Sequence, residues 1–186
     1  PETVWRISST IGQMIINDVT GMNNPAMREA VAECGVTVIV SHLDHASGTD
    51  IQKAHKEKPT KSVQKVVDEL RFRAEQLMDL GLAPEQIILD PGWGFGKAPE
   101  IYRGLLEDLP GLLPDFAFML GVSRKSSLKK RDFHGDDLID FDSMTAEEQV
   151  AWLDERSVEV ALKGLAAEYR YFRVHNVAAH AKALLI

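Results

Sequence analysis

Leu89-Asp90-Pro91-Gly92-Trp93-Gly94-Phe95-Gly96-Lys97 is the stretch whose reading decides the fold. Ahead of it, Gln86-Ile87-Ile88-Leu89 is a short apolar run with the β-branched bias of a buried strand. Asp90 stands where the chain leaves that strand. Glycines at 92, 94 and 96 then alternate with Trp93 and Phe95, and Lys97 closes the segment. Glycine lets a backbone adopt positive φ or approach a ligand closely. The segment therefore reads as a shaped loop carrying a carboxylate, with an ordinary strand-to-helix turn as the competing reading. It is not a dinucleotide fingerprint: the spacing is GxGxG, and no acidic residue ends a strand about 20 residues on.

Working outward, apolar runs at 13–16, 36–40, 116–122 and 169–174 repeat the strand pattern. Between them lie helical stripes. Val63, Val66, Val67, Leu70, Ala74 and Leu77 mark the longest, with Gly81 as its stop. Asn24-Pro25 starts another that stops at Gly35, and Val4, Ile7 and Ile11 mark a first helix. A helix is expected over 101–106, followed by a Gly/Pro-rich link at 110–114. Thr145 with Glu148 matches a capping box for a helix running towards Ala167. Alternating strands and helices predict a parallel sheet with right-handed crossovers. Each strand ends in polar groups: Asn17 and Asp18, His42, Asp90, Lys125, then Arg173 and His175. In parallel α/β folds, ligands sit at those carboxyl ends.

The chain of 186 residues has a one-domain length, and 45% hydrophobic residues suffice for a core. A net charge of −7 with no Lys/Arg-rich run argues against a nucleic-acid partner. No apolar run approaches the roughly 18 residues of a membrane span, and the first stretch lacks the features of a signal peptide. Cys34 is the single cysteine, so no internal disulfide is possible and a reducing cytoplasm is expected. Next to Gly35, Cys34 reads as a packing residue.

Four motifs occur in order at expected strand ends: Ile15-Ile16-Asn17-Asp18, the loop from Asp90 to Lys97, Ser123-Arg124-Lys125-Ser126 and Arg173-Val174-His175. Together they resemble the dihydropteroate synthase family, folate-pathway enzymes of the pterin-binding TIM-barrel group. The resemblance implies a (β/α)8 barrel, of which residues 1–186 would form a single pterin-binding domain, the C-terminal part, with about five βα units. The family joins a dihydropterin methyl diphosphate to p-aminobenzoate and releases diphosphate. By resemblance, Asn17 and Asp90 hydrogen-bond the pterin ring, and Phe95 and Gly121 wall its pocket. Lys125 faces both substrates, Ser126 lies beside p-aminobenzoate, and Arg173 and His175 anchor the diphosphate. Lys125, Arg173 and His175 would carry catalysis. Mg²⁺, a homodimer and a cytoplasmic location are implied in the same way.

Plainer readings compete. Asp90 would cap the following turn, Arg124 and Lys125 would be a solvated basic pair, and His175 a core histidine. His42 and His45 are weak evidence for a metal without a third ligand. Ser41 replaces the family's methionine against the pterin, Trp93 replaces a phenylalanine, and Asn176 replaces an aspartate. The acidic stretch 132–154 reads as a solvated loop, with a lid or partner surface as the alternative. A complete barrel of this kind has eight strands and about 250 residues. The three absent units would carry the family's Mg²⁺-binding Asn, a Thr-Arg-Pro loop over p-aminobenzoate and a pterin-contacting Asp. A fragment, or one piece of a two-chain assembly, is therefore expected, with open sheet edges and an exposed inner face. Two other functions stay in view: a pterin-binding methyltransferase module and a non-catalytic pterin-binding or assembly subunit.

Overall fold

The computed structural model describes residues 1–43, 59–129 and 140–185. In chain order it contains α1 (Glu2–Ile11), β1 (Ile15–Asp18), α2 (Pro25–Cys34), β2 (Thr37–Ser41), α3 (Val63–Met78), β3 (Ile87–Asp90), α4 (Tyr102–Glu107), α5 (Leu109–Leu112), β4 (Ala117–Leu120), α6 (Ala146–Ala166), β5 (Tyr171–Phe172) and α7 (Val177–Leu184). The strands form one parallel sheet in the order β1-β2-β3-β4-β5. Every crossover steps the same way, so the order never reverses as it does in a doubly wound sheet. The result is an arc of a (β/α) barrel.

Local chemistry sets the helix ends. The Asn24 side chain accepts from Ala26 N, Pro25 occupies the first turn, and Gly35 closes α2 at φ 60°. Ser62 caps α3 by accepting from Lys65 N. Thr145 and Glu148 form the expected capping box on α6.

Strand alternation divides the sheet into two faces. Val38, Val40, Ile87, Leu89, Phe118 and Leu120 join the main core against the helices, with Ile16 and Phe172 packed on it. Ile39, Ile88 and Met119 form a small cluster on the opposite, inner face, with Ala117 against it. Stepping two residues along each strand puts Asn17, Asp90 and Arg173 on this inner side.

Several expected boundaries shift. The first strand is 15–18 rather than 13–16, and it is not buried: Ile15 is 48% exposed, because an edge strand has a neighbour on one side only. The fifth pairs only over Tyr171–Phe172, and Tyr169 instead buries its ring, its hydroxyl donating to the Leu105 carbonyl. The fourth shortens to Ala117–Leu120. The helix expected at 101–106 starts with a 3₁₀ turn at Pro99–Ile101. The link expected at 110–114 begins as the short α5, since proline in a first helical turn forfeits no needed N–H. The centre of the inner face is not exposed: Ile39, Ile88 and Met119 are buried among themselves and their neighbours on the concave sheet. The acidic stretch divides. Its residues 132–139 lie outside the described set, and its end is the first part of α6.

Candidate active site at the carboxyl ends of the strands

Asp90 ends β3 and is buried. Its Oδ1 accepts the Gly92 N–H at 2.9 Å, and its Oδ2 accepts the Ser41 hydroxyl at 2.9 Å. The turn-capping reading of Asp90 is therefore correct, and it uses only part of the carboxylate. Burial pushes the Asp90 carboxyl upward; the Gly92 and Ser41 hydrogen bonds and the charges of Arg173 and Lys97 oppose that rise.

The glycine loop then folds over the end of β2. A Cβ on Gly92, at φ 68°, would stand 1.9 Å from the His42 carbonyl oxygen. Only glycine fits there. Lys97 is buried and donates to the carbonyls of Phe95 at 2.9 Å and His42 at 3.3 Å. Thr60 clamps the same loop through Thr60 N to Gly96 O and Ala98 N to Thr60 O. Trp93, standing where the resemblance expects phenylalanine, packs in the main core. It is 1% exposed on the helix side, stacked on Tyr102 at 4.6 Å and donating to Ser127 Oγ at 2.8 Å. Phe95 is half-buried, and Lys125 Nζ lies 4.7 Å from its ring centroid.

Behind β4 the chain makes a strained turn. Arg124 has φ 55°, a left-handed value that costs a non-glycine residue about 1–3 kcal/mol. Three contacts hold it there. Arg124 N donates to Ser157 Oγ at 3.0 Å, and its guanidinium binds Asp154 through Nε–Oδ1 at 2.6 Å and Nη2–Oδ2 at 2.9 Å. Arg124 is thus no solvated partner of Lys125. The turn presents the half-buried Lys125, whose ammonium is pushed down by burial and by the Arg173 charge, against the pull of Asp90.

Arg173 follows β5 and crosses Gly121, where a Cβ would come within 2.8 Å of Nη2. Among the described residues its guanidinium makes no hydrogen bond or ion pair, and it is exposed. His175 is also exposed, which removes the core-histidine reading. Its backbone N–H donates to Ser123 Oγ at 3.1 Å, and its Nδ1 lies 3.0 Å from the same oxygen. Asn176 donates to Asp154 Oδ2 at 3.0 Å and caps α7 by accepting from Ala179 N. An aspartate at 176 would confront Asp154 with a second carboxylate.

Gly121, Asp90, Phe95, Lys125, Arg173 and His175 therefore share one rim. Asn17 lies apart, exposed on the edge strand β1. Ser126 is exposed at the start of a 3₁₀ turn, Ser126–Lys129. Sequence reasoning quoted Ser123 and Lys97 within its motifs without giving either a role, and it missed Asp154. Asp154 had a signal, since it lies eight positions beyond the start of a capped helix rather than in a loop. Among the described residues, no cluster of three or more His, Cys, Asp or Glu could hold a metal ion. His42 Nε2 meets Glu69 Oε2 at 2.7 Å, and His45 lies outside the described residues. No helix of the described residues is long and apolar enough to cross a membrane.

Comparison with known proteins places this chain in a family. Residues 3–175 match the family model described as pterin binding enzyme. The chain is 33% identical over 176 residues to the dihydropteroate synthase of Neisseria meningitidis serogroup B, covering 92% of this chain and 56% of that protein. Against the Escherichia coli K12 dihydropteroate synthase it is 33% identical over 129 residues, 69% of this chain and 44% of that one. The chain thus spans about half the length of the curated relatives it matches. Among solved structures, the Thermus thermophilus dihydropteroate synthase in complex with 6HMPPP superposes with a TM-score of 0.77 at 28% identity, covering 99% of this chain and 66% of that one. The Xanthomonas albilineans enzyme in complex with 7,8-dihydropteroate gives 0.73 at 28% identity, with 100% and 62% covered. Five parallel strands in barrel order, the acid-and-cation rim and these matches together mean that the chain belongs to the pterin-binding enzyme family.

Proposed function

We propose that this chain forms the pterin and diphosphate side of a dihydropteroate synthase active site. The observation that carries the reading is Asp90: a buried carboxylate with one acceptor position left on each oxygen, facing Lys125 and Arg173. Two parallel N–H donors of a guanidine-like pterin edge match that bidentate geometry. Asn17, from β1, adds a neutral amide on the same face, and Phe95 and Gly121 give the ring its walls. Arg173 and His175 take the diphosphate, Lys125 stands between the two substrates, and Ser126 lies beside p-aminobenzoate.

In the reaction, the p-aminobenzoate nitrogen forms a bond to the pterin methylene carbon. The carbon–oxygen bond to diphosphate breaks, the electron pair leaves with the oxygen, and the amine sheds a proton. Negative charge therefore grows on the leaving group, where fixed cations stabilise it most effectively. A cationic rim suits diphosphate departure and has no equivalent task in methyl transfer, which favours the synthase over the methyltransferase reading. Mg²⁺, implied by the family resemblance, finds no fitting donor set among the described residues: the rim offers cations around a single hydrogen-bonded carboxylate. A cytoplasmic homodimer is part of the same proposal.

Calorimetry with 6-hydroxymethyl-7,8-dihydropterin diphosphate, and product analysis after adding p-aminobenzoate, test it. Binding that Asp90→Asn weakens, together with dihydropteroate formation, is expected. No heat from the pterin diphosphate would sink the reading.

A further inference from the structure

We infer that Ser41 is a positioning residue for Asp90, setting the carboxylate so that each oxygen keeps one acceptor position for a ligand edge with two parallel N–H donors. The inference rests on Asp90 as the pterin anchor. Ser41 ends β2 and is paired in register with Asp90. It is 1% exposed, so its hydroxyl has no water to serve. A hydroxyl has one proton to donate, and here it goes to Asp90 Oδ2 at 2.9 Å. The Gly92 N–H takes Oδ1 from the opposite side.

An ionised carboxylate has about four lone-pair positions. Two are used, one on each oxygen, and the two that remain are a matched pair. Without Ser41 the carboxylate is held on Oδ1 alone, and rotation about its last bond would break the match. The backbone makes the pairing rigid, because His42 N donates to Asp90 O at 2.8 Å.

The hydroxyl also bears on charge. A hydrogen bond given to the ionised form favours that form, and Ser41 opposes the upward push of burial on Asp90. The other groups acting on Asp90 are the charges of Lys97 and Arg173, which also oppose it, and the ammonium of Lys125; the buried phenol of Tyr169 feels the Asp90 charge from the helix-side core. The His42 ring is directed to Glu69. Ser41 is therefore expected to matter most where Asp90 titrates.

The test uses carboxyl ¹³C NMR on this chain, with Asp90→Asn identifying the signal, and calorimetry with 6-hydroxymethylpterin between pH 4 and 8. In Ser41→Ala the Asp90 midpoint is expected to move up by about one pH unit. The acid limb of pterin binding should move with it, and Ser41→Thr should restore both. An unmoved midpoint, with affinity lowered equally at every pH, would reduce Ser41 to a packing residue and overturn the inference. A midpoint that moves in a protein binding no pterin would uphold Ser41 as the positioner of Asp90 and overturn the pterin reading instead.

Discussion

The rim has two unlike sides. On the β2–β3 side, Ser41, Asp90, Gly92 and Lys97 are buried; Ser41 and Gly92 donate to Asp90, and Lys97 donates to the His42 carbonyl beside them. On the β5 side, Arg173 and His175 are exposed, and among the described residues Ser123 alone hydrogen-bonds the second of them. The difference suits the ligands proposed for each side. A flat ring with directional donors rewards a fixed acceptor, whereas a diphosphate rewards positive charge and tolerates several approaches. Lys125 lies between the two, its ammonium pushed down by burial and by Arg173 and pulled up by Asp90.

The contrast can be broken most severely at its middle. Lys125→Ala should lower dihydropteroate formation by about 10³-fold, the scale for removing a donor to developing charge. Its melting temperature should hold or rise, because a cation disfavoured by burial is lost.

Asp90→Asn is the next largest, with pterin affinity expected to fall about 100-fold, roughly one charge-assisted hydrogen-bond pair. Its stability effect has a definite sign. The folded carboxyl is raised, so the folded state holds the proton more tightly than the unfolded chain. That stabilisation is present below the unfolded value, about pH 4, and is lost as pH rises through the folded one. The amide variant should therefore melt higher than the parent at pH 7 and show no gain at pH 4, read from thermal melts at the two pH values. A variant less stable at pH 7 would mean that the hydrogen bonds outweigh burial.

Salt separates the sides directly. Arg173→Ala should weaken diphosphate binding about 10-fold at low ionic strength and hardly at all at 1 M salt, where the Debye length is about 3 Å. The Asp90→Asn loss should keep its size throughout. Equal salt dependence would erase the distinction between a buried and an exposed side. The smallest effect belongs to the support. Asp154→Asn should lower the melting temperature by a few degrees, through the strained Arg124 turn, and leave pterin affinity unchanged.

The strand-end pattern was legible because an apolar run that stops at a polar residue is a local signal. Asp90, Lys125, Arg173 and His175 stand out that way, and the alternation of elements carries the parallel order with them. Other features depend on distant segments. Trp93 turns outward because Tyr102 and Ser127 receive it, and no spacing around residue 93 encodes that. Asp154 meets Arg124 across 30 positions, and Ser41 meets Asp90 across 49. The edge strands were overestimated because periodicity reports apolar character but not how many neighbours a strand will have.

The unbroken strand order has a dynamic consequence. Each strand pairs only with its neighbours in sequence, so the sheet behaves as a ladder with nearest-neighbour coupling. Such ladders open from their ends, and amide exchange should be slowest at Ile88 and Leu89 and fastest at the outer rungs. Asn17 and Arg173 sit at those outer rungs, while Asp90 is anchored on the central one. Within these five strands the acid is thus held on the best-supported rung, whatever adjoins β1 and β5.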